Sequence, residues 1–178
     1  MDLDRARPGT RLLIDAPIFI YHFTGVSVAC RRFLERCERA EIHGVTSVTV
    51  IAEVTHRLMM IEAIQAGHIS PGNAAQKLRA RPDAVRSLRT ADAQAARIPM
   101  MGIEVLGLDL HALMAAADMR RRYGLMTNDS IIAATAIAEG VEHIATADGD
   151  FERVEGLTVL APADLPRPGS SPLRSRSA

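Results

Sequence analysis

Residues 129–161 read DSIIAATAIAEGVEHIATADGDFERVEGLTVLA, and this stretch carries the strongest fold signal in the chain. Asp129 stands at the first turn of an apolar helix rich in small residues, and Gly140 closes that helix. Two short strands follow, HIATA at 143–147 and LTVLA at 157–161. A helix that leads into a short apolar strand is typical of a parallel sheet with helices on its faces.

The same alternation of strands and helices runs through the rest of the chain. Apolar runs bounded by glycine, proline and capping residues predict each element. In chain order, the predicted elements are a strand at 11–15, helices at 17–23 and 27–40, a strand at 42–45, helices at 48–67, 70–82 and 82–97, a strand at 103–108 and a helix at 110–122. We therefore expect an α/β fold with a central parallel sheet covered on both faces.

The composition is that of an ordinary globular domain. The chain has 178 residues, of which 48% are hydrophobic and 24% charged, and its formal net charge is zero. No apolar run approaches the ~18 residues that cross a bilayer, and the N-terminus lacks the apolar segment of a secretory signal peptide. We expect an N-terminal extension at 1–10, one domain at 11–162, and a disordered Pro/Ser/Arg-rich tail at 163–178.

The two cysteines do not predict a disulfide or a metal centre. Cys30 and Cys37 are one heptad apart in a predicted helix, which is too far for a bridge. The chain has no CxxC pair and no Cys/His cluster, so a zinc or redox site is disfavoured. A reducing cytoplasm is the expected compartment.

Four acidic residues occupy positions where an apolar core residue or an uncharged turn residue would be usual. Asp15 and Asp148 each follow an apolar strand, Asp129 opens the apolar helix, and Glu53 is the only acid in the run 48–54. Ligands of open α/β sheets bind beyond the carboxyl ends of the strands, so these side chains are candidates for one site.

Three of the four acids also have a purely structural interpretation. Asp129 is a good helix N-cap, Asp148 is a good turn residue, and Glu53 could pair with Arg57 one helical turn away. Asp15 has no such alternative, because the sequence offers it no cap to make.

If the four carboxylates converge, they repel one another and need a cation. Oxygen-only ligation suits Mg²⁺ or Mn²⁺ rather than zinc, and such ions can activate water and neutralise a phosphodiester. The chain has no GxxxxGK[ST], GxGxxG or GxSxG motif, and its cysteines lie inside a helix. Phosphate-loop nucleotide binding and covalent catalysis are therefore disfavoured.

Three stretches resemble the sequence motifs of PIN-domain proteins. They are LLIDAPIFIYHF at 12–23, SVTVIAEVTHRL at 47–58, and the block at 123–162 that contains the apolar helix and the T-x-D-x-D-F sequence. The resemblance runs from about residue 11 to residue 162, and its C-terminal block is the most specific part. The branch that the chain resembles is that of the VapC-like toxins of bacterial toxin–antitoxin pairs.

The resemblance implies a three-layer α/β/α domain with the activity of a Mg²⁺- or Mn²⁺-dependent endoribonuclease. It assigns the catalytic and metal-binding acids to Asp15, Glu53, Asp129 and Asp148. Asp15 and Asp129 would contribute most to metal binding, while Glu53 and Asp148 would position or deprotonate the attacking water. Asp150 could share the role of Asp148, and the sequence does not separate the two.

The resemblance also implies an RNA substrate, a cognate antitoxin and a homodimer. Exposed apolar residues on the helices of 17–65 would form a groove for an antitoxin helix; the residues expected there are Phe19, Ile20, Phe33, Met59 and Met60. An antitoxin arginine could reach the acidic site and displace the metal. Two alternatives stay open: a PIN nuclease of RNA processing without an antitoxin, and a weakly catalytic module that binds RNA or a protein.

Several other residues bear on these alternatives. Ala16-Pro17 stands where the family commonly has Thr or Ser and then Asn or Ser, which removes a side-chain donor near the metal. His22 and His56 are expected at helix surfaces, while Asn128 and Thr146 are positioned to hydrogen-bond the neighbouring acids.

Two basic sets could hold RNA phosphates, namely Arg120–Arg122 and the mid-chain residues Lys77, Arg79, Arg81, Arg86, Arg89 and Arg97.

Overall fold

A five-stranded parallel sheet forms the centre of the protein in the computed structural model, which describes residues 1–166. The strands are β1 (Arg11–Ile14), β2 (His43–Ser47), β3 (Glu104–Leu106), β4 (His143–Ala145) and β5 (Thr158–Leu160). Their order across the sheet is β3-β2-β1-β4-β5, and every neighbouring pair is parallel. The prediction of a parallel α/β fold is therefore confirmed.

Helices cover both faces of this sheet. They are α1 (Ala16–Phe23), α2 (Val28–Glu38), α3 (Val48–Gln65), α4 (Ala74–Arg79), α5 (Pro82–Ser87), α6 (Thr90–Ala95), α7 (Leu110–Tyr123) and α8 (Thr127–Ala138). The connections β1–β2 and β2–β3 move the same way across the sheet, so right-handed crossovers put α1, α2, α3 and α6 on one face. The connection from β3 to β4 runs back, which puts the packed pair α7 and α8 on the other face.

The middle strand is buried on both sides, as expected for a parallel sheet between two helical layers. Leu12, Leu13 and Ile14 of β1 are fully buried, as are Phe19 of α1 and Phe33 of α2. The elements β1 and α8 were predicted from their long apolar runs, and these runs therefore face the core.

The helices after α3 differ from the prediction. The Ser70-Pro71 pair does not start a helix; α4 begins at Ala74, after Asn73 in the left-handed conformation at φ 48°. The single helix predicted over 82–97 is divided into α5 and α6, because Leu88 is extended and 5% exposed. Burial of this leucine outweighs the local preference for a continuous helix.

The N-terminal residues pack against the sheet edge. The Leu3 amide donates to the Ala161 carbonyl at 3.0 Å, and the N-terminal ammonium of Met1 donates to the Val159 carbonyl at 2.8 Å. The Leu3 side chain is fully buried in the main core. The 3₁₀ helix Leu3–Arg5 also contacts α2, so the predicted N-terminal extension covers part of that helix layer.

The start of the predicted tail is attached to α2. The Asp164 carboxylate accepts hydrogen bonds from the Ser27 hydroxyl at 2.7 Å and the Ala29 amide at 3.0 Å. Residue 164 is therefore held in place, although the sequence predicted disorder from 163 onwards. The rest of that tail, 167–178, lies outside the described residues, and the division of the chain into extension, domain and tail stays a prediction.

The apolar groove predicted on the helices of 17–65 is absent from the described part of the chain. Phe19 and Phe33 are fully buried, Ile20 is 6% exposed, and Met59 and Met60 are partly buried against core clusters. Burial of the α2 side chains is completed by the N-terminal segment, which the prediction treated as an extension. Of the exposed large apolar side chains, Val28 and Val48 lie on α2 and α3, whereas Leu110, Leu113 and Met114 lie together on α7.

The two cysteines lie in the core. Cys30 and Cys37 are free and buried, and burial raises the pKa of the Cys30 thiol to about 11 and that of Cys37 to about 12. Over residues 1–166, we find no helix with both the length and the apolar character needed to span a bilayer.

Glu62 of α3 caps the N-terminus of α6. Its carboxylate accepts three backbone N–H groups at the start of α6, from Arg89 at 2.9 Å, Thr90 at 3.0 Å and Ala91 at 2.9 Å. Burial alone would raise the pKa of Glu62, but these donors outweigh it and the pKa is lowered. A side chain more than twenty residues away thus replaces the cap that the local sequence lacks.

We expect Glu62→Ala to lower the free energy of unfolding by about 1–2 kcal/mol, because three helix-terminal N–H groups lose their acceptor. Urea unfolding followed by circular dichroism measures this change. Glu142→Ala is the matched control, since Glu142 is exposed and caps no helix in the described chain. Equal stability of the two variants would contradict the capping role of Glu62.

Candidate active site

The candidate site lies at the carboxyl ends of β1 and β4, where the chain connections on the two sides of β1 run in opposite directions across the sheet. β1 leads towards β2 on one side, while its other neighbour, β4, is reached only after the chain has crossed the opposite face. Ile14 pairs with Ala145, and the Asp15 amide donates to the Ala145 carbonyl at 3.0 Å. The carboxyl ends of β1 and β4 therefore form a switch point, where open α/β sheets bind their ligands.

Asp15 is the deepest acid of the site, with 4% of its surface exposed. It does make a cap, contrary to the prediction: Oδ1 accepts the Ala16 amide at 2.7 Å at the start of α1. Oδ2 accepts the Thr146 hydroxyl at 2.6 Å. Burial, followed by the charges of Glu53 and Asp129, outweighs both hydrogen bonds and raises the pKa of Asp15 to about 7.

Thr146 joins the ends of β1 and β4. Its fully buried hydroxyl donates to Asp15 and accepts the Asp148 amide at 2.9 Å. The predicted hydrogen bond between Thr146 and a neighbouring acid is confirmed. One side chain thus sets the relative positions of Asp15 and the Asp148 backbone.

Asp148 is a turn residue and also borders the acidic cavity. Its Oδ1 accepts the Asp150 amide at 2.9 Å and caps the 3₁₀ helix Gly149–Arg153. The structural interpretation of Asp148 is therefore correct, and it does not remove the carboxylate from the acidic cavity. Asp150 lies beside it and forms an ion pair with Arg153.

Asp129 is not the N-cap of its helix. α8 begins at Thr127, Met126 occupies the cap position, and Asp129 lies within the first turn. Its carboxylate faces the other acids instead of the helix end. Burial, followed by the charges of Asp148, Glu53 and Asp150, raises the pKa of Asp129 to about 6.

Glu53 reaches the site from the second turn of α3. Its Oε2 accepts the Asn128 side-chain amide at 3.4 Å, whereas the sequence predicted a hydrogen bond from Asn128 to its flanking acid. Within residues 1–166, Glu53 forms no ion pair with Arg57, so the structural alternative for this acid is wrong. Arg57 is exposed and borders the same cavity.

The structure brings all four predicted acids to one open cavity of about 300 Å³. The residues around it are Asp15, Pro17, Tyr21, Glu53, Arg57, Asp129, Ala147 and Asp148. Neither His22 nor His56 borders this cavity. Sequence reasoning missed Tyr21 and Arg57 as cavity residues, although the four-residue spacing of Glu53 and Arg57 could have indicated a shared helix face.

Asp148 and Asp150 after β4, together with Asp129 of α8, fit a hard divalent cation. One carboxylate oxygen from each of Asp129, Asp148 and Asp150 lies within 4.8 Å of the other two. Oxygen donors in this number suit Mg²⁺ or Mn²⁺ and offer no soft ligand for zinc or copper. Asp150, which the sequence could not separate from Asp148, is part of this group.

Comparison with known proteins agrees with this geometry. The family model described as PIN domain matches residues 12–157, which is most of the chain. The chain belongs to the PIN domain family. The resemblance found in the sequence is therefore confirmed.

Two ribonucleases are similar to this chain in sequence. Ribonuclease VapC2 of Methanocaldococcus jannaschii is 25% identical over 150 residues, covering 84% of this chain and 93% of that protein. Ribonuclease VapC6 of the same organism is 33% identical over 63 residues, covering 35% of this chain and 41% of that protein.

Two solved structures share the PIN fold with this chain. VapBC2 of Rickettsia felis, bound to a DNA fragment from its promoter, gives a TM-score of 0.54 at 16% identity, covering 85% of this chain and 98% of that one. A toxin–antitoxin complex from Klebsiella pneumoniae gives 0.50 at 20% identity, covering 83% and 95%. At these identities the likeness establishes the fold.

The raised pKa values predict that the metal-free protein loses stability as pH rises from about 4 to about 7. In the unfolded chain Asp15 and Asp129 ionise near pH 3.8, whereas in the folded protein they hold their protons to about pH 7 and about pH 6. The folded state binds more protons in this window, so the free energy of unfolding falls with pH, by about 1.4 kcal/mol for each unit of pKa difference.

Urea unfolding in EDTA, repeated across this pH range, measures the effect. Asp15→Asn should flatten the profile, because the amide does not titrate. Asp92→Asn, at an exposed position on α6, should leave the profile as it is in the wild type. A wild-type profile that rises over the same range would contradict the pKa assignment.

Proposed function

We propose that this protein is a metal-dependent endoribonuclease that hydrolyses RNA phosphodiester bonds at the cavity formed by Asp15, Glu53, Asp129 and Asp148. The observation that carries the proposal is the convergence of these acids at the switch point of the sheet. The names of the similar proteins, both called ribonucleases, give further support.

The close group of Asp129, Asp148 and Asp150 oxygens supports Mg²⁺ or Mn²⁺ as the cofactor, and Asp15 borders the cavity beside two of these acids. The chemistry that such an ion supplies when bound is activation of water and neutralisation of the phosphodiester charge. Asp15 accepts two protein hydrogen bonds, so its carboxylate is fixed in orientation. Glu53 accepts one, from Asn128, which leaves its other oxygen available to orient or deprotonate the attacking water.

A module that binds RNA or a protein without cleaving is the alternative, and Ala16-Pro17 was the sequence feature that favoured it. The surroundings of Asp15 argue against it. The Ala16 amide and the Thr146 hydroxyl already orient the carboxylate, so the missing side-chain donor at residue 16 has two replacements. A nuclease of RNA processing would use the same site and differs only in its partner.

We expect Asp129→Asn to abolish Mg²⁺- or Mn²⁺-dependent cleavage of RNA while leaving metal-free thermal stability unchanged or higher. The substitution removes one anionic ligand from a site where carboxylates repel, so it relieves repulsion as it removes the ligand. Cleavage of a mixed RNA pool, read by gel and by mapping the cut sites, measures the activity. Asp148→Asn and Asp150→Asn, tested in parallel, decide which of the two acids is needed.

Asp109→Asn is the matched control for Asp129→Asn. Asp109 caps α7 by accepting the Ala112 amide at 2.8 Å, and asparagine caps a helix about as well as aspartate. This control should therefore keep full activity. Full activity of Asp129→Asn at saturating metal would end the mechanism based on these acids.

We also propose that the protein is the toxin of a toxin–antitoxin pair and that it acts as a homodimer. The VapBC assemblies among its structural neighbours support an antitoxin partner. The exposed apolar side chains of α7 support a dimer: Leu110 is 72% exposed, Met114 is 65% exposed and Leu113 is 40% exposed. The two free cysteines support a reducing cytoplasm as the compartment.

Expression of the wild-type protein alone should arrest growth, and co-expression of the small protein encoded beside it should restore growth and copurify with it. Growth curves and pull-down of the tagged protein measure both effects. Asp129→Asn should be harmless when expressed alone, which separates nuclease toxicity from a general burden. Harmless wild-type expression with no copurified small protein would leave the RNA-processing alternative.

A further inference from the structure

Positive charge is concentrated in the short helices that follow α3. Residues 74–89, which we name the basic arm, span α4, α5 and the first residues after them. The arm has five basic residues and one acidic residue in a chain whose net charge is zero. The basic residues are all exposed: Lys77, Arg79, Arg81, Arg86 and Arg89.

Most of these charges are not neutralised within the described chain. Lys77 donates to Ser70 and Pro71 oxygens, and Arg81 donates to the His68 carbonyl, so both remain unpaired with an acid. Arg89 also donates to carbonyls only. Arg86 alone forms an ion pair, with Asp83, and both side chains of that pair are exposed.

The basic arm is attached to α3 in the turns that follow Glu53. Met60 and Ile64 are seven and eleven residues beyond Glu53, and at 3.6 residues per turn both point within about 20° of the Glu53 direction. These two side chains pack against the cluster that contains Leu78, Ala84 and Leu88 of the arm, and Ala63 and Met59, which point about 80° and 120° away from Glu53, contact it as well. The arm is therefore attached about 10–16 Å along the helix from Glu53.

Arg57 stands between the acidic cavity and the arm. It is one turn beyond Glu53 on α3, it is exposed, and it borders the cavity. A phosphate chain that enters a cavity of carboxylates needs cations close by, because the acids repel its charge. Arg57 and the arm supply such cations along one side.

We propose that Arg57 and the basic arm hold the phosphates of the RNA strand that passes through the acidic cavity. The inference rests on the proposed ribonuclease function and assigns the substrate-binding surface of that same site. With four Phe, two Tyr and no Trp in the chain, base stacking has few partners. Binding through phosphates is therefore expected to be largely independent of sequence and strongly dependent on salt.

The other basic set is a weaker candidate for this surface. Arg121 pairs with Asp118 and Arg122 pairs with Glu155, so acids offset two charges of the set. Arg120 donates to the Ser130 hydroxyl. The set also lies on α7, on the opposite face of the sheet from α3.

Binding of a fluorescently labelled single-stranded RNA, measured in EDTA so that cleavage is not supported, tests the proposal. Arg79→Gln/Arg86→Gln and Arg57→Gln/Arg79→Gln each remove two charges from the proposed surface. We expect each double variant to raise Kd at least about fivefold and to reduce the slope of log K against log salt by about 1.4, or about 0.7 for each lost phosphate contact. Circular dichroism checks that the variants are folded.

Arg121→Gln/Arg122→Gln is the matched control, since it removes the same charge from the opposite face. It should keep the wild-type Kd and salt slope. An equal loss in this control would overturn the inference, because it would mean that any cation contributes. Wild-type binding by the arm variants, or no RNA binding by the wild type, would overturn it as well.

Cleavage of the same RNA with Mn²⁺ separates this inference from the proposed function. Arg79→Gln/Arg86→Gln should raise KM more than it lowers kcat, because both substituted residues lie outside the residues that border the cavity. RNA that binds through the arm but is not cut by the wild type would refute the ribonuclease proposal and leave the binding surface standing. Loss of binding to a copurified protein, with RNA binding intact, would assign the arm to that protein.

Discussion

Carboxylates held side by side repel one another, and this protein gathers several of them beside the buried end of β1. The cost is visible in Asp15 and Asp129, whose pKa values are raised to about 7 and about 6. The fold offsets part of this cost with donors: the Ala16 amide and Thr146 for Asp15, and Asn128 for Glu53. Because its carboxylates repel one another, the site favours the binding of a cation. A rigid core is needed to hold the acids in place.

The elements that could be predicted are those whose signals are local. β1 and α8 have long apolar runs, and Gly124 ends α7 with φ near 66°, where glycine is favoured. The division of 82–97 into two helices was missed, because burial of Leu88 breaks the helix and the distant Glu62 carboxylate caps the start of α6. The burial of α1 and α2 was missed for a similar reason, since part of their cover comes from the N-terminal segment.

The site was predictable as a set of acids but not as a geometry. Strand ends and the order of motifs were enough to select Asp15, Glu53, Asp129 and Asp148, because parallel strands bring their carboxyl ends to one edge. The choice among alternatives for each acid needed three-dimensional partners. Asp148 caps a 3₁₀ helix and still borders the cavity, whereas Glu53 could have paired with Arg57 and does not.

Arg57 remains free of Glu53, and this bears on how a neutral chain can act on a polyanion. An ion pair between them would neutralise one carboxylate of the cavity and occupy a cation that borders it. Kept apart, Glu53 accepts a hydrogen bond from Asn128 at the cavity, while Arg57 stays exposed at the edge of the same cavity. The acidic cavity and the basic arm thus lie beside successive turns of α3, and a net charge of zero conceals a surface with an anionic end and a cationic end. Such a separation favours a polyanionic ligand. One of its phosphates would lie at a cation held by the acids, and the neighbouring phosphates would lie along the basic side chains.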